Sequence, residues 1–325
     1  KPHYLDAPGE FWFDTRGETG GRLYVRMRDD RDPNTSRVEA AKRLYLLQDR
    51  ASANEPMRLD ILKPGDVAAL DARGVSHLQI TGLTFRHLNT HWPLELTAWY
   101  HRDVENAAIC LRGSHRDVRI ANCRFRHVNC AMRLEGIRNT CRSDRLMISD
   151  NDIAFTDHGA IKVKGTGGRK HDVPNWQCLG HVDILRNRFF MIGGRAFRQS
   201  HGHALWLSQA ETARVAGNML HRCYGAGLFV YYENGGGDLR EERLVRVLIH
   251  GNRVVDSLLT ANDWGGIEPW LDGPCYTYNN ISGNASGYWN WHYRPEGRKD
   301  AGARLGYAYY ADGTKLYLFN NVAWG

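Results

Sequence analysis

Residues 263–272 contain an unusual number of acidic and indole side chains. The same stretch contains two glycines and a proline. Glycine and proline disfavour a helix there. Cleavage of a glycosidic bond needs two carboxyl groups, one that donates a proton and one that acts as base or nucleophile. Indole rings offer flat apolar faces on which sugar rings can pack. The stretch therefore predicts a sugar-cleaving site, the alternative being a strand edge with ordinary surface acids. Its acids and indoles are Asp263, Trp264, Glu268, Trp270 and Asp272.

The composition is typical of a folded chain rich in turns and short strands. The 325 residues are 42% hydrophobic and include 34 glycines, which permits a substantial core and disfavours disorder. The formal net charge is +7, from 43 basic and 36 acidic residues, but the chain has no dense tract of lysine and arginine. We therefore expect no nucleic acid partner, whereas an acidic polysaccharide suits a mildly basic surface. The chain has no run of 18 apolar residues, so no membrane insertion is predicted.

Seven cysteines lie at positions 110, 123, 130, 141, 178, 223 and 275. None belongs to a CxxC pair, and no group of acids resembles a calcium cage, so neither a metal nor another cofactor is predicted. Cys123 and Cys130 fall in adjacent elements of one repeat, which makes a disulfide between them one interpretation. The other interpretation is that most of the cysteines are small buried hydrophobic residues.

Residues 1–70 differ in pattern from residues 71–325. In the first region, residues 11–14 and 22–26 predict two short strands joined by a turn, so we expect a β-rich insertion or hairpin unit. Neither the opening residues nor the closing residues have the pattern expected of a signal peptide or a capping segment. We expect it to be an internal portion of a longer protein.

From about residue 75 two phrases alternate along the chain. One is an apolar–polar alternation followed by Asn and a second short strand, and the other is a strand led by Gly or Ala. Successive asparagines of the first phrase are 28 to 41 residues apart. Short strands at such a period predict a parallel β-helix, whose stacked coils bury one continuous core. Stacked asparagines would bond to the coils above and below as an internal ladder. They are Asn122, Asn151, Asn187, Asn218, Asn252, Asn280 and Asn321.

The Gly- and Ala-led strands can be aligned by their period-two alternation. If Ile161 and Ile267 point inward, their neighbours form two outward columns along one stripe, which we expect to be exposed. Aromatic residues along such a stripe indicate a binding surface. Insertions at 165–180, 234–243 and 286–307 are expected to wall it. The first column is Cys110, Arg133, Lys162, Trp206, Phe229 and Glu268, and the second is Arg112, Glu135, Lys164, Ser208, Tyr231 and Trp270.

Residues 77–325 resemble the right-handed parallel β-helix proteins of the pectate-lyase-like superfold. Residues 74–85 are similar to the opening coil of its β-helical glycoside hydrolases, and residues 9–14 and 21–25 are similar to the β-rich insertion before that coil. Among these enzymes the chain resembles the α-fucosidase and xylanase-type family numbered 141. The resemblance implies an all-β right-handed parallel β-helix, an inverting mechanism and catalytic acids drawn from neighbouring coils. A polysaccharide or oligosaccharide substrate further predicts a secreted or periplasmic protein.

Glu268 is the predicted proton donor, because partial burial beside Trp270 would raise its pKa toward the working range of an acid. Its predicted partner is Asp263, folded back by the two glycines, or Asp312 on the next coil. Asp157 is a further candidate acid, and Asp272 is expected at the rim. The predicted substrate-binding residues are Trp206, Tyr231, Trp270, Lys162, Lys164, His203 and Arg133.

Two other functions fit the same stripe. A polysaccharide lyase or epimerase that acts on a uronate needs cations to neutralise the carboxylate and a base to abstract a proton. The base would be Tyr231 or His203, and the cations would be Lys162, Lys164, Arg133 and Arg112. The last interpretation is a β-helix that binds glycan without cleaving it.

Overall fold

The structure of the protein is a computed structural model that describes residues 11–14, 22–25, 27, 30–35, 76–88, 107–137, 143–166, 179–194, 202–232, 246–261, 263–271, 273–287 and 305–325. The chain divides into two compact units, Lys1–Ala41 and Lys42–Gly325. In the first unit, strands β1 (Phe11–Asp14) and β2 (Arg22–Val25) pair antiparallel, and a 3-10 helix η1 follows at Pro33–Thr35. The domain boundary predicted at residue 70 lies outside the described residues.

The described part of the second unit is a succession of short strands. In chain order they are β3 (Gln79–Thr81), β4 (Thr84–Leu88), β5 (Ile109–Arg112), β6 (Arg116–Ala121), β7 (Arg124–Val128), β8 (Met132–Ile137), β9 (Asp144–Ser149), β10 (Asp152–Thr156), β11 (Ile161–Thr166), β12 (Leu179–Leu185), β13 (Arg188–Ile192), β14 (Leu205–Ser208), β15 (Ala210–Ala216), β16 (Met219–Cys223), β17 (Leu228–Tyr232), β18 (Arg246–His250), β19 (Arg253–Ser257), β20 (Trp264–Leu271), β21 (Cys275–Tyr278), β22 (Ile281–Ala285), β23 (Gly306–Tyr309), β24 (Asp312–Gly313), β25 (Leu316–Phe319) and β26 (Val322–Trp324).

These strands form three parallel sheets, to which successive coils of the chain contribute strands in turn. The first sheet has the order β25-β21-β18-β15-β12-β9-β6-β3, and the second has the order β26-β22-β19-β16-β13-β10-β7-β4. The third has the order β23-β20-β17-β14-β11-β8-β5, and β24 also pairs with β20. The protein is therefore an all-β right-handed parallel β-helix, and the predicted fold class is confirmed. Within the described ranges, no helix has the length and apolarity needed to cross a membrane.

The inward side chains of all three sheets meet in one apolar core inside the coils. In the third sheet Ile161, Leu205 and Leu228 follow one another in register on adjacent strands, and all three are fully buried. No single coil could bury its own apolar face, so stacking supplies the stabilisation, at about 25 cal/mol per Å² of apolar surface removed from water. The predicted inward alternation is confirmed.

Asparagines form a ladder at the turn between the first-sheet and second-sheet strands. Each side-chain amide donates to the Oδ1 of the asparagine on the next coil at 2.9–3.1 Å. The backbone N–H donates to the same oxygen, as from Asn151 to Asn187 at 3.1 Å. The bonds satisfy polar groups that the tight turn buries, which explains why asparagine recurs there. The ladder runs through Asn151, Asn187, Asn218, Asn252, Asn280 and Asn321.

The assignment of Asn122 to this ladder is wrong by one residue. Cys123 takes the ladder position of that coil, and its backbone N–H donates to Asn151 Oδ1 at 3.0 Å. Asn122 is exposed and has a φ of 54°. The preceding position of the next coil, Asp150, is also left-handed, with a φ of 57°. Asparagine suits both neighbouring positions, one for its amide and one because it tolerates the left-handed region.

The five cysteines of the described residues are free thiols rather than a disulfide framework, and all but the half-buried Cys110 are buried. Cys123 and Cys130 are not joined, and each thiol points at a backbone carbonyl 3.4 Å away. Burial raises the pKa of Cys223 and of Cys275 to about 12, so neither is a reactive thiolate. The interpretation as small buried hydrophobic residues is confirmed for these four cysteines.

Candidate active site

The two predicted columns on the outward face of the third sheet are confirmed in register. Basic residues dominate the early strands of the two columns, with Glu135 among them, and acidic residues lie on the late strands. Trp270 of the second column pairs in turn with Asp312 on the next coil. In the first column the order along adjacent strands is Arg133, Lys162, Trp206, Phe229 and Glu268, and in the second it is Glu135, Lys164, Ser208, Tyr231 and Trp270.

The exposure expected of this stripe is wrong, because most of it is buried. Trp206 is 5% exposed, Phe229 1% and Glu268 1%. The two rings belong to a second apolar cluster that includes Leu258 and Ala261, from the turn before β20. Trp206 meets Phe229 edge to face, with ring centroids 5.1 Å apart. The outward side chains thus form a small core of their own outside the coil.

Glu268 lies in β20 at the acidic end of the first column. Its Oε2 accepts the backbone N–H of Gly265 at 2.7 Å. Burial raises the pKa of Glu268 to about 9, because a carboxylate loses its hydration there. The Gly265 N–H acts in the opposite direction, and the charges of Asp263 and Asp312 raise the pKa further. The Glu268 carboxyl is therefore protonated near neutral pH, as a proton donor has to be.

Two glycines allow β20 to approach the neighbouring strands this closely. A Cβ built on Gly265 would lie 2.9 Å from the Cβ of Tyr310, and one built on Gly266 would lie 2.5 Å from Ser282 Oγ. Carbon atoms in proteins do not pack so tightly, so any larger residue would displace the next coil. The backbone contact with the next coil is what brings Asp312 into the neighbourhood of Glu268.

Asp263 and Asp312 flank Glu268 from the turn before β20 and from the next coil. Asp263 has a φ of 64°, and its N–H donates to the carbonyl of Leu305 at 2.7 Å. Asp312 accepts the indole N–H of Trp270 at 3.1 Å. Both aspartates are exposed. Partial burial raises the pKa of Asp263, and the charge of Asp312 raises it further, so the two carboxylates are close enough to repel.

The spacing of Glu268 and Asp312 follows from the register. Asp312 pairs with Trp270, so it lies one strand across and two residues along from Glu268 on the same face. At 4.8 Å between strands and 3.3 Å per residue, the two Cα atoms are about 8 Å apart. The register thus places the two acidic side chains on one face of adjacent strands.

Tyr310 joins the acidic end and was not predicted. Its N–H donates to the carbonyl of Ile267 at 3.1 Å, which sets it beside Glu268 on the next coil. Burial and then the carboxylates of Asp312, Asp263 and Glu268 raise its pKa to about 12. The phenol therefore keeps its proton and can donate a hydrogen bond. Continuing the predicted column by one coil would have placed a tyrosine here.

Two buried basic side chains at the basic end of the columns have hydrogen-bonding partners. Lys162 is fully buried, and its Nζ lies 2.9 Å from His158 Nδ1. Arg133 Nη2 lies 2.6 Å from Glu135 Oε1, and both residues are buried. These cations are held by neighbours on the same face.

Lys164 and His203 pack against the aromatic rings between the two ends. Lys164 Nζ lies 4.2 Å from the centre of the Trp206 ring, a cation–π contact. His203 stacks on Phe229 with ring centroids 4.7 Å apart, and its Nδ1 accepts the N–H of Ala226 at 3.1 Å. Each of these contacts fixes a side chain that had been predicted to bind substrate.

Asp157 is not brought to the acidic end. It lies in the turn between β10 and β11, and β11 is three strands from β20 in the third sheet. That corresponds to about 14 Å along the axis of the β-helix, too far for a pair with Glu268. The three insertions predicted to wall the stripe lie almost entirely outside the described residues, and so does Asp272.

No protein-family model, curated protein or solved structure matches this chain. The resemblance to β-helical glycoside hydrolases is thus supported for the parallel β-helix, which the sheets display, and no match supports the family numbered 141. Among the described residues, no group of three or more His, Cys, Asp or Glu side chains is placed to hold a metal ion.

Proposed function

We propose that the protein is a glycoside hydrolase that cleaves a polysaccharide or oligosaccharide, with Glu268 as the general acid. The acidic end of the columns carries this proposal. It holds one buried carboxyl with a pKa of about 9 and two exposed carboxyl groups, Asp263 and Asp312. Titratable groups whose surroundings drive their pKa values apart are typical of paired acid and base catalysts.

In the proposed reaction Glu268 gives its proton to the glycosidic oxygen as the bond to the anomeric carbon breaks. Asp312 takes a proton from the water that attacks that carbon from the opposite side, so the configuration inverts. The indole N–H of Trp270 fixes the orientation of Asp312. The negative charge of Asp263 helps Glu268 to keep its proton. Such a substrate implies a secreted or periplasmic protein.

The partly exposed rings of Tyr231 and Trp270 are the proposed sugar platform. They stack with centroids 5.1 Å apart, and both are only half-buried, unlike Trp206 and Phe229. Aromatic faces of this kind offer an apolar surface with a polar edge. Tyr231, Trp270 and Asp312 follow one another in the second column. A sugar that packs on the two rings would therefore lie beside Asp312.

A lyase or epimerase is supported less well by the same face. Its cations would have to neutralise a substrate carboxylate, but Arg133 is paired with Glu135 and Lys162 is fully buried against His158. These residues also lie three or more strands from Glu268. The hydrolase is therefore the better-supported reaction.

The test is a panel of neutral and acidic polysaccharides, with both reducing ends and far-ultraviolet absorbance measured. Hydrolysis releases reducing ends only, whereas lysis of a uronate also creates an absorbing unsaturated product. On a cleaved glycan, Glu268→Gln should lower kcat by about 10²–10⁴. Asp157→Asn is the matched control, since it neutralises a carboxylate about 14 Å away and should leave kcat unchanged.

Each of three results would contradict the proposed function or its assignment of the acid. Full activity of Glu268→Gln would remove the acid assignment. An absorbing product would make the protein a lyase, and binding without cleavage across the panel would make it a glycan-binding β-helix. Proton NMR of the first product formed gives the anomer directly, and a retained configuration would exclude Asp312 as a base acting through water.

A further inference from the structure

A shallow groove of about 580 Å³ runs along the corner between the first and second sheets. Its lining comes from the ends of β6, β9, β12 and β15 and the starts of β7, β10, β13 and β16. The acidic end described above lies on the third sheet, so the groove is a separate surface. None of the residues that line it is aromatic.

A row of arginines follows this groove. Arg124, Asp152, Arg188, Met219 and Arg253 pair in register on five adjacent strands of the second sheet. The three arginines are exposed. Since they occupy alternate strands, their backbones recur about every 9.6 Å along the β-helix axis. The row thus presents positive charge at a regular interval of two coils.

The acids beside this row already have partners. Asp152 is bonded by the guanidinium of Arg126, and Asp150 receives two bonds of 2.8 Å from Arg186. Among the described residues, by contrast, no ion pair involves Arg124, Arg188 or Arg253. The groove therefore keeps cations in excess, with its carboxylates neutralised by other side chains.

We propose that the arginine row binds an anionic polysaccharide that carries a carboxylate or sulfate on every second sugar. A guanidinium matches such an oxyanion with two parallel hydrogen bonds. An interval of about 9.6 Å is comparable to two sugar units of an extended chain. An open, shallow groove suits a polymer that enters from the side. The inference does not depend on the hydrolysis proposed for the third sheet.

A nucleic acid fits the same groove less well. Single strands are bound by stacking their bases on aromatic side chains, and the lining has none. A duplex presents a phosphate about every 3.4 Å along each strand, which is far denser than the arginine row. The spacing and the lining therefore both favour the polysaccharide.

The experiment compares four probes on the 325-residue chain. Hyaluronan oligosaccharides carry one carboxylate per disaccharide, polygalacturonate carries one per sugar, dextran is neutral and oligothymidylate is a polyanion with bases. Titration calorimetry at low and at high salt should show binding of hyaluronan that weakens as salt screens the ion pairs. Polygalacturonate should bind too, and dextran should not.

The variant that tests the row is Arg124→Gln with Arg188→Gln and Arg253→Gln. It should weaken hyaluronan binding at least tenfold, because three charge-assisted contacts are lost. A matched triple variant removes three other exposed arginines, Arg116, Arg222 and Arg246. It changes net charge equally and should weaken binding less than about twofold. All six sites are exposed, and melting curves verify that both variants fold.

Several outcomes would overturn the inference. An equal loss in the control triple variant would make the binding a general effect of net charge. Binding of dextran as tight as that of hyaluronan would remove the role of the anion, and tighter binding of oligothymidylate would make the groove a nucleic-acid site. Glu268→Gln should bind hyaluronan as the parent does, so failure of the groove and failure of the hydrolase proposal are separable.

Discussion

The two ends of the outward face of the third sheet differ in the neighbours that they give to buried ionisable side chains. At the basic end, Arg133 has Glu135 at 2.6 Å and Lys162 has His158 at 2.9 Å. At the acidic end, the buried Glu268 accepts a backbone N–H but meets the like charges of its two aspartate neighbours. Both ends are built on strands of the same sheet in one continuous register, so the difference lies in the neighbouring side chains.

This contrast indicates which end stabilises the fold and which is suited to chemistry. A buried charge with a partner is tolerated as part of a packed structure, whereas like charges around a buried acid raise the free energy of the fold. Sites that break the rules of stability in this way are candidates for function. We infer that the basic end is part of the packed structure of the β-helix, whereas the acidic end is the part suited to the proposed proton transfer.

The largest expected effect is at the basic end. Glu135→Gln removes the charge that faces Arg133 in a buried setting, and should lower the free energy of unfolding by about 3 kcal/mol. Urea denaturation followed by circular dichroism measures it. Asp152→Asn is the control, since it removes the partner of Arg126 at the surface and should change stability far less. Equal effects of the two substitutions would show that the buried pair is not structural.

The acidic end should respond in the opposite direction. The pKa of Glu268 is about 9 in the fold, above the 4.5 of an unperturbed glutamate, so the folded state holds the proton more tightly. Its contribution to stability is complete below pH 4.5 and is lost as pH rises toward 9. At pH 7 that loss is on the order of 3 kcal/mol. Glu268→Gln carries no charge, so it should be more stable than the parent by that amount at pH 7 and equally stable at pH 4.

Urea denaturation at pH 4, 7 and 9 distinguishes the pH-dependent stabilisation expected of Glu268→Gln from a simple effect on packing. Packing would change stability equally at all three values, whereas the cost of keeping the Glu268 carboxyl protonated in the fold grows with pH. Loss of stability at pH 7 in Glu268→Gln would mean that the carboxyl is ionised and paired, and the contrast between the two ends would disappear.

The direction of each side chain on this face could be predicted from the sequence, but its burial could not. Alternation at a period of two placed Lys162, Trp206 and Glu268 in one column, because every strand of a parallel stack obeys it. Their burial depends on Leu258 and Ala261, which come from a turn. Turn conformations vary from coil to coil and leave no periodic signal, so a second core outside the coil was not foreseen.

Two smaller errors have the same physical origin. Asn122 was assigned to the ladder because adjacent turn positions both favour asparagine, one for its amide and one for its left-handed backbone. Tyr310 was missed because it is at the point where β23 ends and the chain turns toward β24. The repeat thus predicts the fold in detail, and the irregular steps between strands determine how the site is completed.

The next effect in size tests how β20 is positioned. Gly265→Ala would put a Cβ 2.9 Å from that of Tyr310 and should lower the free energy of unfolding by about 1–3 kcal/mol. Because it also displaces the coil that carries Asp312, cleavage should fall by at least tenfold. Gly194→Ala is the control, since its nearest contact would be an ordinary 3.4 Å to the Tyr224 ring. An active, stable Gly265→Ala would show that the close approach is dispensable.

The smallest effect separates the two aspartates. If Asp263 acts only through its charge, Asp263→Asn should leave kcat within about twofold at the pH optimum and lower the pKa of Glu268, since one repelling charge is gone. The basic limb of the pH profile of kcat/KM reports loss of the proton donor, so it should move to lower pH by about half a unit. Asp263→Glu keeps the charge, so the basic limb of its pH profile should stay where it is in the parent.

A collapse of kcat in Asp263→Asn, with Asp312→Asn still active, would instead make Asp263 the base. The acidic end would then draw both of its catalytic carboxyl groups from one coil, because Asp263 lies directly before the strand that carries Glu268.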